Sequence, residues 1–144
     1  MVPSRELGEQ VASVARKLAH HQKFVTGVLT SHRPKRYQAP ILDGITDVLI
    51  ATPDRLLKHV VAKEVFLSSV QHFIIDEVDT MYEARSGFRT PMEELWKQVM
   101  AGAAYRNGDV QVVMAAATMK PLMEKMLIKK FNDVRVVIFC FFLM

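Results

Sequence analysis

Short apolar runs separated by helical periodicity constrain this chain more than any other feature. Val48 to Ala51 is continuously apolar and ends at Thr52-Pro53, the mark of a strand buried on both faces. Phe73-Ile74-Ile75 is another short apolar strand and Gln111 to Ala116 a strand ending at Ala117-Thr118, with Phe24 to Leu29 a β-prone run and Val134 to Ile138 a final strand. Between them lie helical patterns. Leu7, Val11, Val14 and Leu18 recur at spacings of four, three and four, which predicts one apolar helix face after an N-cap at Ser4, with Glu6 in the first turn. Asp54 to Val61 carries Leu56, Leu57 and Val60 in a helical pattern. Thr90-Pro91-Met92-Glu93 has the form of a capping box, and Pro121 opens a helix that ends on Lys129 and Lys130. Strands alternating with helices predict an α/β fold with a parallel sheet covered on both faces.

Composition narrows the class further. The 144 residues suffice for one domain with a core, half of them apolar, but not for a two-domain motor. The net charge of +4 is compatible with a polyanionic partner and does not by itself point to one. Cys140 is the sole cysteine, so no intrachain disulfide forms and a reducing compartment is favoured. The histidines His20, His21, His32, His59 and His72 share no metal-ligand spacing with it. Arg5, Glu6 and Glu9 interrupt any signal-peptide core. Val136 to Met144 is apolar but shorter than the ~20 residues that span a bilayer. No membrane association is expected.

In open parallel sheets, ligands bind beyond the carboxyl ends of the strands. Four segments follow or end strands: Pro3-Ser4-Arg5-Glu6, Thr52-Pro53-Asp54-Arg55, Asp76 to Asp79, and Ala116-Ala117-Thr118. They are expected to gather on one rim. Asp76-Glu77 is the sharpest of them, because a carboxylate at a strand end can hold magnesium through water while its neighbour orients an attacking water. Taken alone, the same tetrapeptide also reads as a solvated acidic turn. Arg5 and Arg55 each stand beside a helix start, where backbone amides and a guanidinium fork suit a phosphate. The Arg33, Lys35, Arg36 and Tyr37 cluster reads first as a solvated basic loop.

In order and spacing, these four segments resemble motifs Ia, Ib, II and III of the DEAD-box RNA helicases. Thr80-Met81 and Gly87-Phe88 resemble that family as well. The resemblance runs from Val2 to about Val137. It implies an incomplete RecA-like fold of the phosphate-loop NTPase type, without the phosphate-loop strand. It further implies that Pro3, Ser4, Arg5, Gly44, Thr52, Pro53 and Arg55 contact the backbone of single-stranded or duplex RNA without reading sequence. Asp76 and Glu77 would serve Mg2+ (through water) and the hydrolytic water of ATP. Asp79 would couple to Ala116, Ala117 and Thr118. The protein would be intracellular, in nucleus, cytoplasm or organelle.

The chain also departs from the family pattern. Asp54 stands where motif Ib has glycine, Val78 where motif II has alanine, and Ala116 where motif III has serine. No G-x-x-x-x-G-K-[ST] loop occurs among the six glycines. ATP hydrolysis by this chain is therefore not expected, nor is a second helicase domain with the arginines that complete the ATP site in the family. Residues 1–137 are expected to form a partial N-terminal helicase ATP-binding domain, and 138–144 an apolar tail foreign to the fold. Without a phosphate-loop strand, either two sheet edges stand open or Val134 to Ile138 pairs directly with Gln111 to Ala116. Three readings follow: a fragment of an ATP-dependent RNA helicase, a catalytically dead RNA- or protein-binding module, or a non-functional partial product.

Overall fold

The computed structural model describes residues 1–31, 46–131 and the backbone of 136–140. The chain divides into two compact units, Val2–Phe66 and Leu67–Met144 together with Met1. Asp43, Gly44 and the Arg33–Tyr37 cluster lie outside the described residues.

The first unit contains α1 (Arg5–Leu18), β1 (Thr26–Leu29), β2 (Val48–Ala51) and α2 (Pro53–Val61). Ser4 caps α1 as expected, its Oγ accepting from the Leu7 amide at 3.2 Å. β1 and β2 pair in parallel from Thr26 opposite Val48 to Leu29 opposite Ala51. The buried face of α1 differs from the one expected. Gly8, Ala12 and Ala15 are buried and Leu7 and Val11 are partly buried, whereas Val14 and Leu18 are 57% and 56% exposed. Small residues let the helix lie close. A Cβ on Gly8 would stand 3.0 Å from Cγ2 of Thr30. The packed stripe therefore follows the alanines rather than the larger side chains, and its core is Val2, Ala12, Ala15, Val28 and Ile50.

The second unit contains β3 (His72–Ile75), α3 (Val78–Tyr82), α4 (Arg89–Arg106), β4 (Gln111–Ala116), α5 (Pro121–Lys130) and β5 (Val136–Cys140). The strands lie in the order β3-β4-β5, all parallel, with Ile75 opposite Met114 and Ala116 opposite Cys140. The last strand thus pairs directly with Gln111–Ala116 and extends to Cys140; Val134 lies outside the described residues. β3 alternates, burying Phe73 and Ile75 while Ile74 is 54% exposed. The expectation was of a sheet covered on both faces. The two-residue period instead turns Phe73 toward the Trp96 ring of α4 (centroids 5.6 Å apart), and Trp96 meets Phe131 edge-on at 4.8 Å.

The capping box expected at Thr90 does not form. α4 starts at Arg89 after Phe88, with no side-chain cap, and Glu93 turns elsewhere. Its carboxylate accepts from Lys130 at 2.7 Å and from Arg89 at 3.3 Å, and these bonds, Lys130 first, hold it below the usual carboxylate range. Lys130 also lies 5.4 Å from the centre of the Tyr82 ring, so charge on α5 ties down both α3 and α4. Burial, reinforced by Glu93 and opposed by Arg89, holds the Tyr82 phenol well above its ordinary range.

α4 lies against the segment before β3 at Gly102, where a Cβ would lie 2.4 Å from the Ser68 Cα. Gly102→Ala is therefore expected to destabilise the chain by about 1–3 kcal/mol. Val14→Ser, on the exposed flank of α1, should change stability by less than about 0.5 kcal/mol. Urea denaturation of the two variants checks both values.

Candidate functional site

The structure brings the candidate residues together in two pairs of segments, one pair in each unit. In Val2–Phe66, the Val2 amide donates to the Ala51 carbonyl at 3.0 Å, and the Thr52 amide donates to the Leu29 carbonyl at 3.0 Å. Those bonds set Pro3-Ser4-Arg5 beside Thr52-Pro53-Asp54-Arg55, at the carboxyl end of β2. Two helices start there, α1 after Ser4 and α2 after Thr52, with Pro53 in the first turn of α2. Each start presents amide donors that the helix itself leaves free, together with the positive end of its dipole. Arg5 is exposed and Arg55 is half-buried. Asp54, also exposed, adds a negative charge to the first turn of α2.

Thr52 is the unusual member of this group. It is 5% exposed, occupies the N-cap position with φ −82° and ψ 144°, and makes no side-chain cap bond. Its buried Oγ1 has no hydrogen-bond partner. An N-cap hydroxyl normally satisfies a helix amide, and a buried orphan hydroxyl costs about 1–3 kcal/mol. A ligand oxygen at the helix start would satisfy both the hydroxyl and the amides.

In the second unit, β3 delivers Asp76 to the strand end. The Asp76 amide donates to the Met1 carbonyl at 3.0 Å, and Asp76 Oδ1 accepts from the Glu77 amide at 3.0 Å. Glu77 is exposed and sits in the left-handed region, φ 49° and ψ 50°, where a side chain costs about 1–2 kcal/mol. Val78, bulkier than the alanine of the family motif, is fully buried. Asp79 then binds both donors of Thr118: its Oδ2 accepts from the amide at 3.1 Å and from Oγ1 at 3.0 Å. Asp79 Oδ1 accepts from the Thr80 amide. Ala116 is buried at the end of β4, and Ala117 is exposed.

An open cleft of about 240 Å³ lies beside this link, lined by Asp79, Thr80, Glu83, Thr118, Lys120 and Met123. Glu83 and Lys120 were not among the residues expected from sequence. Glu83 stands one helical turn beyond Asp79, a spacing that points it to the same side. Lys120 offered no comparable signal.

Among the described residues, no group of three or more His, Cys, Asp or Glu side chains can hold a metal ion. Asp76 and Glu77 are two adjacent carboxylates at the end of β3. The glycine-lysine loop that cradles phosphates in such sites does not occur in this sequence. No helix among the described residues is long and apolar enough to cross a membrane.

Short parallel sheets flanked by helices, with an acidic strand end tied to the turn after the neighbouring strand, define the RecA-like class of helicase domains. Within that class, the chain belongs to the DEAD/DEAH box helicase family, whose model matches residues 1–126. DEAD-box ATP-dependent RNA helicase 39 of Arabidopsis thaliana is 27% identical over 135 residues, covering 93% of this chain and 21% of its own length. A hypothetical ATP-dependent RNA helicase from Sulfolobus tokodaii superposes with a TM-score of 0.76 at 25% identity, over 96% of this chain and 39% of its own. S. cerevisiae Dbp5 bound to RNA and ADP BeF3 gives a TM-score of 0.76 over 95% of this chain and 32% of its own, a likeness of fold at 19% identity. The chain thus spans about a fifth of the length of the curated relative it matches.

Two outcomes are expected from this geometry. In a double-mutant cycle, Asp79→Asn and Thr118→Val should couple by about 1 kcal/mol, through the Thr118 hydroxyl bond to the Asp79 carboxylate; additive unfolding energies would contradict that. The second outcome concerns the Met1 amine, which donates to the Ile74 carbonyl at 2.6 Å. Burial lowers its pKa to about 6 from 8.0, with Asp76 opposing. The unfolded chain therefore binds more protons between those values, and stability should rise by about 2 kcal/mol from pH 6 to pH 8. Urea midpoints across that window read the effect.

Proposed function

We propose that this chain supplies the RNA-backbone grip and the hydrolysis-coupling segment of an ATP-dependent RNA helicase, and that by itself it does not hydrolyse ATP. Pro3, Ser4, Arg5, Thr52, Pro53 and Arg55 hold RNA phosphates, joined by Gly44 of the residues not described. Asp76 and Glu77 serve Mg2+ and the hydrolytic water when the phosphate cradle and the second helicase domain are supplied. Asp79 relays that state to Ala116, Ala117 and Thr118. Thr52 carries this reading. A buried hydroxyl without a partner, at the start of one helix and beside the start of another, is arranged for an anionic oxygen.

The supporting likenesses point the same way. Dbp5 has this fold and binds RNA together with ADP BeF3. Contacts to phosphate fix the strand without reading its bases, so binding should be indifferent to sequence. The negative charge of Asp54 lies along the same path and weakens it.

Fluorescence anisotropy with single-stranded RNAs of unlike sequence tests the proposal. If Arg5 and Arg55 each neutralise one phosphate, log affinity should fall against log salt with a slope of about −1.4. Arg5→Gln should lower that slope by about 0.7, and Thr52→Val should weaken binding of every RNA alike. Asp54→Gly should strengthen it. The chain should show no turnover of ATP. Affinity that ignores salt, or that follows RNA sequence, would defeat the reading.

A further inference from the structure

The far end of α2 carries a buried titratable group with no part in the contacts above. His59 is fully buried, and its Nδ1 lies 2.7 Å from Oε2 of Glu64. The backbone joins the same two residues. Lys63 takes φ 59°, the Glu64 amide donates to the His59 carbonyl at 3.0 Å, and the Lys63 amide donates to the Val60 carbonyl at 3.0 Å. Those bonds make a Schellman turn, in which the second residue past the cap usually makes an apolar contact back to the helix. Here those two positions are Glu64 and His59. The contact is polar and directional.

α2 has only nine residues, about 13 Å of helix. Its buried residues Pro53, Leu56 and His59 recur every third position and form one stripe. At its start, Thr52 provides no side-chain cap. The rotation of the helix about its axis is therefore set by this stripe and by the clasp at its end. Residue 55 lies about 40° around the axis from residue 59, so the rotation that seats His59 also aims Arg55.

We infer that His59 and Glu64 are positioning residues for the phosphate-facing end of α2, holding Arg55 and the Thr52 hydroxyl in a fixed direction. The inference rests on the reading of Thr52 and Arg55 as RNA-backbone contacts, but the orienting effect itself is measurable without RNA. An apolar side chain at position 59 would keep the stripe and lose the directional bond at its end. Loss of the carboxylate would leave the buried Nδ1–H unsatisfied.

The test uses the full 144-residue chain. Long-range proton–nitrogen correlation spectra should find the proton of His59 on Nδ1; a neutral ring protonated only on Nε2 overturns the inference. Glu64→Ala should speed amide exchange at Leu56, which donates to the Thr52 carbonyl at the other end of the helix, by about tenfold. Glu64→Gln, which still accepts from Nδ1–H, should restore the slow rate. A change confined to residues 59–64 overturns the inference. Should Glu64→Ala fail to fold, Glu64→Asp shortens the reach and should give the same change in smaller measure, while a wild-type Leu56 rate in that variant counts against the clasp. Affinity for oligouridine should fall about threefold to tenfold in Glu64→Ala and recover in Glu64→Gln. Absence of oligouridine binding by the wild type, with the Leu56 effect intact, sinks the RNA reading and leaves the clasp standing. Binding without the Leu56 effect does the reverse.

Discussion

Parallel pairing of β3 with β4 places Ile75 opposite Met114, so both strands run out in the same direction, β4 two residues further to Ala116. The acidic segment leaves one strand and the alanine-threonine segment leaves the other. Asp79 can then take the amide and the hydroxyl of Thr118 on a single carboxylate oxygen. A slip of one residue in that register would move Asp79 along the strand axis by about 3.3 Å and break both bonds. The left-handed Glu77 belongs to the same arrangement, because the tight turn from strand into α3 is what lets Asp79 face β4 within three residues of Asp76.

This link is made without a hydroxyl at position 116, where the family motif has serine. Thr118 supplies both donors, and Ala116 is buried at the strand end. Val78 is likewise absorbed into the core. The direct pairing of β4 with β5 gives the Gln111–Ala116 strand hydrogen-bonded neighbours on both sides, with β3 on the other. Of the two arrangements expected without a phosphate-loop strand, open edges or direct pairing of these two strands, the second is found. β5 includes Phe139 and Cys140, so the apolar segment after Val137 contributes backbone to the sheet.

The alternation of strands and helices, the Ser4 cap and the ends of the helices at Val61 and Lys130 were legible in the sequence, because each depends on local spacing and capping chemistry. The face of α1 was not. Val14 and Leu18 have the larger apolar side chains, yet Gly8, Ala12 and Ala15 pack against the sheet, since close approach depends on small volume and not on hydrophobicity alone. The capping box at Thr90 failed for a related reason. Glu93 gains more from Lys130, 37 residues away in the chain, than from a local amide.

By itself the sequence determined the α/β class, the order of the four motifs, the lack of a glycine-lysine phosphate loop and the family to which these belong. These are properties of residue type and spacing along one chain. Tertiary structure decided that Thr118 rather than Ala116 answers Asp79, that the Thr52 hydroxyl is buried without a partner, that Glu83 and Lys120 line the adjoining cleft, and that His59 meets Glu64. Each of these depends on which side chain a neighbouring element leaves room for, and hydrogen-bond geometry within a few tenths of an ångström cannot be read from spacing.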